Sequence, residues 1–442
     1  MLKNSHLVIG LGETGFSCIK YLRAKNIPVV VADTRDNPPH LADCRKQFPE
    51  VEIHLGKLSE ALSLKAATIV VSPGISLEEP CIQKAREKNI PIVGDIELFV
   101  RDVKAPIVAI TGSNGKTTLT TLMGELINHA GKKAIVCGNI GMPVLDVLAQ
   151  EIPDFYVLEL SSFQLETTYS LCAKVAILTN LSPDHMDRYE TLDDYLAAKQ
   201  RVYLHCDYAI VNADEKNTWE KLVFKHRPIE ITLQKPLEKQ WGVFENTLSY
   251  GKEKLIAIAD LLLQERFNNQ NFLAALAIGT VLQLPMKNML ATLKHFAGLP
   301  HRCQRVKTND DIIWYNDSKG TNPGAVIAAI ESVYHRHHPN NIILIAGGDG
   351  KGVDFSILQA PVKATVSHVI VLGKDAALLQ AALQDSAIVT RVNTVREAVA
   401  FAKTIAQKKD VVLLSPACSS LDQYKSYAER GNDFMKAITA RG

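Results

Sequence analysis

A chain of 442 residues with 47% hydrophobic content is too long for one ordinary core and divides into two to four domains. Its 49 Lys and Arg against 47 Asp and Glu leave a net charge of +2, without the basic excess of a nucleic-acid binder, so small ligands are expected. The eight scattered cysteines (18, 44, 81, 137, 172, 206, 303 and 418) contain no C-x-x-C pair, which argues against a zinc site or a disulfide framework and fits a reducing cytosol. The opening "MLKNSHLVIG" enters a strand at once, without a basic leader, and no stretch approaches the roughly 18 apolar residues of a membrane span. A soluble cytoplasmic protein without membrane insertion is expected. The rhythm that follows, short apolar runs ending in glycine turns and amphipathic helices, predicts α/β units with mostly parallel sheets.

The first predicted strand, 6–9, runs into Gly10-x-Gly12-x-x-Gly15 and a helix from Thr14. This is a dinucleotide-binding spelling, and Asp33 at the end of the second strand, 29–33, is what a nicotinamide site would also show. A glycine turn at a helix N-terminus reads pyrophosphate without naming the rest of the molecule. "TIVVSPGIS" then supplies a further strand near 68–76, and the block closes near residue 100.

Pro106 introduces the strand "IVAI" and a second glycine loop, Gly112-Ser113-Asn114-Gly115-Lys116-Thr117-Thr118, followed by a helical run. It is a compact G-x-x-G-K-T phosphate loop, with Ile110 where the longer Walker spelling has glycine. Its backbone N–H groups would surround phosphate oxygens, Lys116 would neutralise the β/γ charge, and Thr117 would offer a hydroxyl to Mg²⁺. ATP or GTP is implied. Glu159 ends the strand "FYVLEL" where a metal-holding acid would stand, and "SPDHMDRY" places Asp184, His185 and Asp187 after the next strand. Thr191 can cap a helix over 191–204 with an apolar stripe of Leu192, Tyr195, Leu196, Val202 and Tyr203. Lys199 falls in that stripe, so its ammonium must pair, snorkel out, or become a neutral amine that CO₂ can convert to a carbamate.

Residues 205–260 carry no clear pattern, and an alanine-rich helix follows Asn271. The third block repeats the strand-and-turn rhythm in "IIWYND", "NIILIAGGDGKG", "HVIVLG" and "VVLLSPACSS". His335, His337 and His338 read as a solvated loop rather than a metal site. The blocks are placed at 1–100, 101–298 and 299–442.

Taken together, "TGSNGKTT", "GNIG" (138–141), "LELSSFQLE" (158–166), "DHMDRY" (184–189), "GLPHR" (298–302), "NDSKGTN" (316–322), "GGDGKG" (347–352) and "SPACSSLDQY" (415–424) closely resemble the Mur ligases, in one order across nearly the whole chain. The resemblance implies a Rossmann-like N-terminal domain for a UDP substrate, a central P-loop NTPase-like domain for ATP and a Rossmann-like C-terminal domain for an amino acid. It also implies an ADP-forming amide ligase of peptidoglycan precursor synthesis. With "VGDIELF" at 93–99, the implied substrates are UDP-N-acetylmuramoyl-L-alanine and D-glutamate.

By resemblance, Lys116, Glu159, His185 and Lys199 are catalytic, and Thr117, Glu159, His185 and carbamylated Lys199 serve Mg²⁺, with two ions expected. Loop residues 112–118 with Asn271, Arg302 and Asp317 correspond to ATP contacts. Gly12, Thr14, Asp33, Thr34, Arg35, Gly74 and Asn139 correspond to UDP-substrate contacts. Lys319, Thr321, Lys351, Ser420 and Tyr427 correspond to the D-glutamate pocket. Phe267 stands where relatives often have histidine, and Tyr427 replaces a phenylalanine. A monomer without a nucleic-acid partner is expected. Competing readings are another muramyl-peptide ligase, a folylpolyglutamate synthetase, a dinucleotide-dependent oxidoreductase and a non-catalytic nucleotide-binding regulator.

Overall fold

The structure, a computed structural model, describes residues 5–308, 311–339 and 341–440. Three sheets follow one another along the chain. The first is parallel, with β1 (His6–Ile9), β2 (Val29–Asp33), β3 (Glu52–Leu55), β4 (Thr68–Val71) and β5 (Ile92–Val93) in the order β3-β2-β1-β4-β5. Runs such as Val29 to Ala32 are buried throughout, as expected for strands covered on both faces. Because β1 lies between β2 and β4, the order reverses there and opens a crevice at the carboxyl edge.

The central sheet has nine strands: β6 (Ile107–Thr111), β7 (Ala134–Gly138), β8 (Phe155–Glu159), β9 (Val175–Leu178), β10 (Tyr208–Asn212), β11 (Ile229–Ile231), β12 (Trp241–Phe244), β13 (Thr247–Tyr250) and β14 (Glu253–Ala257). Strand order is β14-β13-β12-β11-β10-β9-β6-β8-β7, parallel as far as β12 and antiparallel for the last two pairings. Five of these strands lie in 205–260, the stretch without a legible pattern. The turn joining β12 to β13 places both Glu245 and Asn246 at positive φ, 47° and 54°, as tight hairpin turns demand.

The third sheet, β15 (Gln304–Val306), β16 (Ile313–Asn316), β17 (Ile342–Gly347), β18 (Val366–Leu372), β19 (Ile388–Arg391) and β20 (Val411–Leu414), runs β15-β16-β20-β17-β18-β19, with only β15 antiparallel.

Several helices differ from expectation. The alanine-rich helix spans Arg266–Val281 and starts five residues before Asn271, because Asn268, Asn269 and Asn271 take buried positions that break the apolar pattern. The helix expected over 191–204 spans Leu192–Gln200 and tightens into a 3₁₀ turn at Arg201–Tyr203. Its Thr191–Asp194 capping box forms, whereas Leu192 is exposed. His335 and His337 lie in the last turn of helix Pro323–His337 rather than in a loop, and His338 caps it at φ 42°. His337 bonds the buried Tyr315 hydroxyl at 2.8 Å.

One apolar core joins the first and central sheets: Val8, Leu22 and Phe99 share a cluster with Ala109, Tyr156 and Leu165. The third sheet meets the central one through polar contacts, including Arg302 to Thr117 at 2.6 Å and Arg336 to Glu265 at 2.5 Å. Among the described residues, no helix is long and apolar enough to cross a membrane.

Candidate active site

The phosphate loop leaves β6 and enters helix Lys116–His129, and its glycines are dictated by sterics. Gly112 has φ +149°, and a Cβ there would meet Thr179 Oγ1 at 2.0 Å. Gly115 has φ +80°, and a Cβ would lie 2.8 Å from Asn271 Oδ1. Lys116 curls back over the loop and donates to the carbonyls of Gly112 (2.8 Å) and Ser113 (2.9 Å).

Lys199 does not snorkel. It is 1% exposed, donates to the same Gly112 carbonyl at 2.7 Å, and lies 4.4 Å from the Tyr195 ring centroid. Burial, reinforced by the neighbouring Lys116 charge, pushes its amine well below the ordinary lysine range. A neutral amine is the form that attacks CO₂.

Facing these two lysines, Glu159 ends β8. Its Oε1 accepts from Asn139 Nδ2 at 2.8 Å, while Oε2 is buried and has no hydrogen-bond partner. Asn139 also donates its backbone N–H to the Glu159 carbonyl. Asp184 accepts the His185 N–H at 2.9 Å and lies 3.7 Å from Lys351 Nζ. Burial would raise the Asp184 carboxyl, but His185, Lys351 and Lys116 outweigh it and hold it below the usual range. His185, at φ +59° and edge-on to Phe163, is pushed down to about 4 by burial, so its imidazole is neutral at physiological pH.

Among the described residues no group of three or more His, Cys, Asp and Glu gathers as a metal cluster. Mg²⁺ needs no such cluster, since it takes one or two protein carboxylates and completes its shell with phosphate oxygens and water. The open Glu159 oxygen beside a phosphate loop fits that chemistry.

Three cavities meet here. The central one, about 900 Å³ with its mouth, is lined by Lys116, Thr117, Glu159, His185, Lys199 and Lys351, together with Lys319 and Thr321. A second, reached past Asn114 and Gly115, is lined by Thr118, Asn271, Arg302, Asp317 and Phe267. Burial raises the Asp317 carboxyl to about 6, although Ser415 Oγ and the Cys303 N–H both donate to it. Burial, then Arg302 and Lys116, lower Lys319 to about 8.

The third cavity lies at the crevice of the first sheet and is lined by Gly12, Thr14, Asp33, Thr34, Arg35, Gly74 and Asn139. Every sequence-predicted UDP-substrate residue is thus brought together, and Asn139 also lines the central cavity. Asp33 is engaged by its own fold: Oδ2 accepts the Leu11 N–H at 2.6 Å, and both oxygens bond the Arg35 guanidinium.

Ser420 and Tyr427 are not part of the central cavity's lining. Ser420 is buried, and its carbonyl accepts from Gln423 and Tyr424. Tyr427 opens the helix Tyr427–Thr439, its carbonyl accepts from Ser318, and its ring lies 4.2 Å from Lys319 Nζ. Sequence reasoning missed Gln164 and Ser72 at the first-sheet cavity and Asn322 at the central one. The "SSFQLE" and "KGTN" runs contain Gln164 and Asn322, but their reach across elements is tertiary information.

Three α/β sheets with a cationic phosphate loop at the meeting of their carboxyl edges define a nucleotide-phosphate protein built for joint occupation of adjoining cavities. Residues 4–94 match the family description "Mur ligase MurD-like, N-terminal domain", 110–279 "Mur ligase middle domain" and 301–418 "Mur ligase, glutamate ligase domain". The chain belongs to the Mur ligase family. It is 47% identical over 436 residues to a UDP-N-acetylmuramoylalanine–D-glutamate ligase of Coxiella burnetii, covering 98% of each chain. It is 45% identical to that of Nitrosococcus oceani, covering 98% of this chain and 96% of the relative.

Solved structures share the fold. A MurF ligase of Thermotoga maritima in complex with ADP matches with TM-score 0.62 at 15% identity, covering 99% and 98% of the two chains. A UDP-N-acetylmuramate-alanine ligase of the same organism matches with TM-score 0.59 at 16% identity, covering 98% of both.

Proposed function

We propose that this protein joins D-glutamate to UDP-N-acetylmuramoyl-L-alanine, converting ATP to ADP and phosphate, as a monomeric cytoplasmic enzyme of peptidoglycan precursor synthesis. The observation that carries the reading is 47% identity over nearly the whole chain to a ligase of that name, in a chain whose phosphate loop opens beside the first-sheet cavity.

Hydroxide is a poor leaving group, so the substrate carboxylate must be activated before an amine can displace anything from it. A carboxylate oxygen attacks the ATP γ-phosphorus, the bond to the β-bridging oxygen breaks, and an acyl phosphate and ADP result. The D-glutamate amine then attacks the acyl carbon, loses a proton, and phosphate leaves the tetrahedral intermediate.

Residues 1–100 hold the nucleotide sugar, with Gly12 and Thr14 at the diphosphate and Asp33, Thr34 and Arg35 at the uracil. Residues 101–298 hold ATP on the 112–118 loop, and residues 299–442 contribute Arg302 and Asp317 to ATP. D-Glutamate sits among Lys319, Thr321, Lys351, Ser420 and Tyr427. Lys116 and Arg302 stabilise charge on the transferring phosphoryl group. Neutral His185 and Asn139 orient the attacking carboxylate. Thr117, Glu159, His185 and carbamylated Lys199 would hold Mg²⁺, which supplies neutralisation of phosphate charge when bound.

Phosphate release tests the reading directly. It is expected to require both UDP-N-acetylmuramoyl-L-alanine and D-glutamate, and to fail with L-glutamate, L-alanine, L-lysine or diaminopimelate. Dependence on another amino acid, or on a folate in place of the sugar, would move the assignment to a different ligase.

A further inference from the structure

Arg188 follows the His185 loop, and its guanidinium points out of the central sheet's own site. Nη1 donates to the carbonyl of Pro73 at 3.0 Å, a residue of the first-sheet loop 72–75. Nη2 donates to Glu166 Oε2 at 3.1 Å, and the guanidinium carbon lies 4.1 Å from the Phe163 ring centroid. The side chain is only 15% exposed.

Each end of this contact reaches a cavity. Pro73 lines the first-sheet cavity between Ser72 and Gly74, and the Ser72 hydroxyl is braced on the carbonyl of Gly10, the first glycine of the turn. At the other end, the Arg188 N–H donates to the His185 carbonyl at 3.0 Å, and Phe163 packs its ring 4.9 Å from the imidazole. A continuous path of contacts therefore runs from Gly10 through Ser72, Pro73 and Arg188 to His185. A simple ion pair with Glu166 would need only a charge. Bonding two acceptors in one plane while stacking on an aromatic face needs the arginine fork.

We infer that Arg188 is a positioning residue that fixes the spacing between the first-sheet cavity and His185, so that a nucleotide sugar seated at loop 72–75 presents its carboxylate to the phosphate loop. This inference rests on the proposed ligase reading. It assigns Arg188 no contact with substrate; the residue acts through Pro73 and Phe163.

The test compares wild type, Arg188→Gln and Arg188→Lys in phosphate release, with calorimetric titration of UDP alone. Misplacement of reacting groups by about an ångström costs on the order of a hundredfold, so kcat for Arg188→Gln is expected to fall about that far. The KM for ATP and the affinity for UDP alone should stay within about twofold, because neither the phosphate loop nor the first-sheet cavity loses a group. Arg188→Lys keeps the charge but not the fork and should recover only part of the loss.

Wild-type kcat in both variants would overturn the inference. So would a parallel loss of UDP affinity, ATP KM and kcat, which would mark a general folding role. If Arg188→Gln does not fold, Glu166→Ala removes the Nη2 acceptor only and should show the same selective loss of kcat on a smaller scale; unchanged kcat there would again overturn it. Absence of turnover in the wild type would instead contradict the ligase reading itself.

Discussion

The two glycine loops of this molecule begin alike and end in opposite chemistry. In the first, Gly10 turns at φ +99° and Gly15 packs so closely that a Cβ would meet the Gly10 carbonyl at 1.8 Å. An acid, Asp33, stands behind that turn, bonded to the Leu11 N–H and to Arg35. In the second, the turn is followed by Lys116, Arg302 reaches the same helix start at Thr117, and the buried, neutral amine of Lys199 sits on the loop. A neutral cradle can hold a diphosphate that is not changed, whereas a cluster of cations in a dry cleft stabilises charge that develops during transfer. Glycine spacing reports a backbone shape; the charges around it decide whether the phosphate is a handle or a reactant.

The largest expected effect follows from that contrast. Lys116→Ala should lower kcat by about a thousandfold in the phosphate-release assay, the scale of losing a preorganised charge on a transferring group. Retention of most of the activity would erase the distinction between the loops.

Lys199→Ala comes next, with a fall of about a hundredfold or more, comparable to removal of a conserved outer ligand or support of a metal site. Short-chain carboxylates added to this variant should restore part of the rate, and CO₂-stripped wild type should regain activity with bicarbonate. An alanine variant with full activity would remove any role for a carbamate.

At the first loop the effect should be confined to one substrate. Asp33→Ala frees Arg35 and unties the turn, and is expected to raise the KM for the nucleotide sugar about tenfold, the scale of one charge-assisted hydrogen bond. The KM for ATP should not move; equal changes in both would break the separation of the two cavities.

The smallest effect is on stability at acid pH. Burial alone would raise the Asp33 carboxyl, but Arg35 and the Leu11 N–H hold it below the ordinary 3.8. Below 3.8 the unfolded chain therefore binds more protons than the folded one, so stability falls as pH drops from 3.8 toward the lowered folded value. In thermal melts, the advantage of wild type over Asp33→Asn should be constant above that window and shrink within it. A difference independent of pH would place the stabilisation elsewhere.

Much of this was legible because sterics act locally. Both glycine turns, the strands entering them and the cap at Thr191 can be read from neighbours in sequence. Lys199 was legible as an anomaly, a cation in an apolar stripe, although only the structure shows its amine on the Gly112 carbonyl. Between 205 and 260, β11 to β14 were hidden because they are short and only partly buried, whereas β10, the buried run Tyr208–Asn212, was within reach of the pattern and was passed over. His337 was misread because its hydrogen bond goes to Tyr315, on another element. Asp33 left a nicotinamide site open in sequence, and its engagement by Leu11 and Arg35 shows a second use for the same acid. Ser420 belongs to a recognisable run, yet its place outside the central cavity depends on how the third sheet sits.

That placement connects to the two interfaces. The first and central sheets share an apolar core, while the third meets the central one mainly through polar contacts such as Arg302 to Thr117 and Asn322 to Asn114, with Phe267 of the alanine-rich helix packed on its core. Polar interfaces of this kind favour relative domain motion. Small-angle scattering is expected to show compaction when ATP, nucleotide sugar and D-glutamate analogues are all present, and an unchanged profile would contradict closure.

The second loop is expected to transfer phosphate to a carboxylate delivered from the first-sheet cavity. This transfer is tested most directly with UDP-N-acetylmuramoyl-L-alanine carrying ¹⁸O in its terminal carboxylate. The phosphate released on reaction with D-glutamate is expected to contain one ¹⁸O atom from that carboxylate, carried across in the acyl phosphate. Product formation with no ¹⁸O in the phosphate would show that the carboxylate oxygen never bonded to phosphorus, and would contradict the transfer.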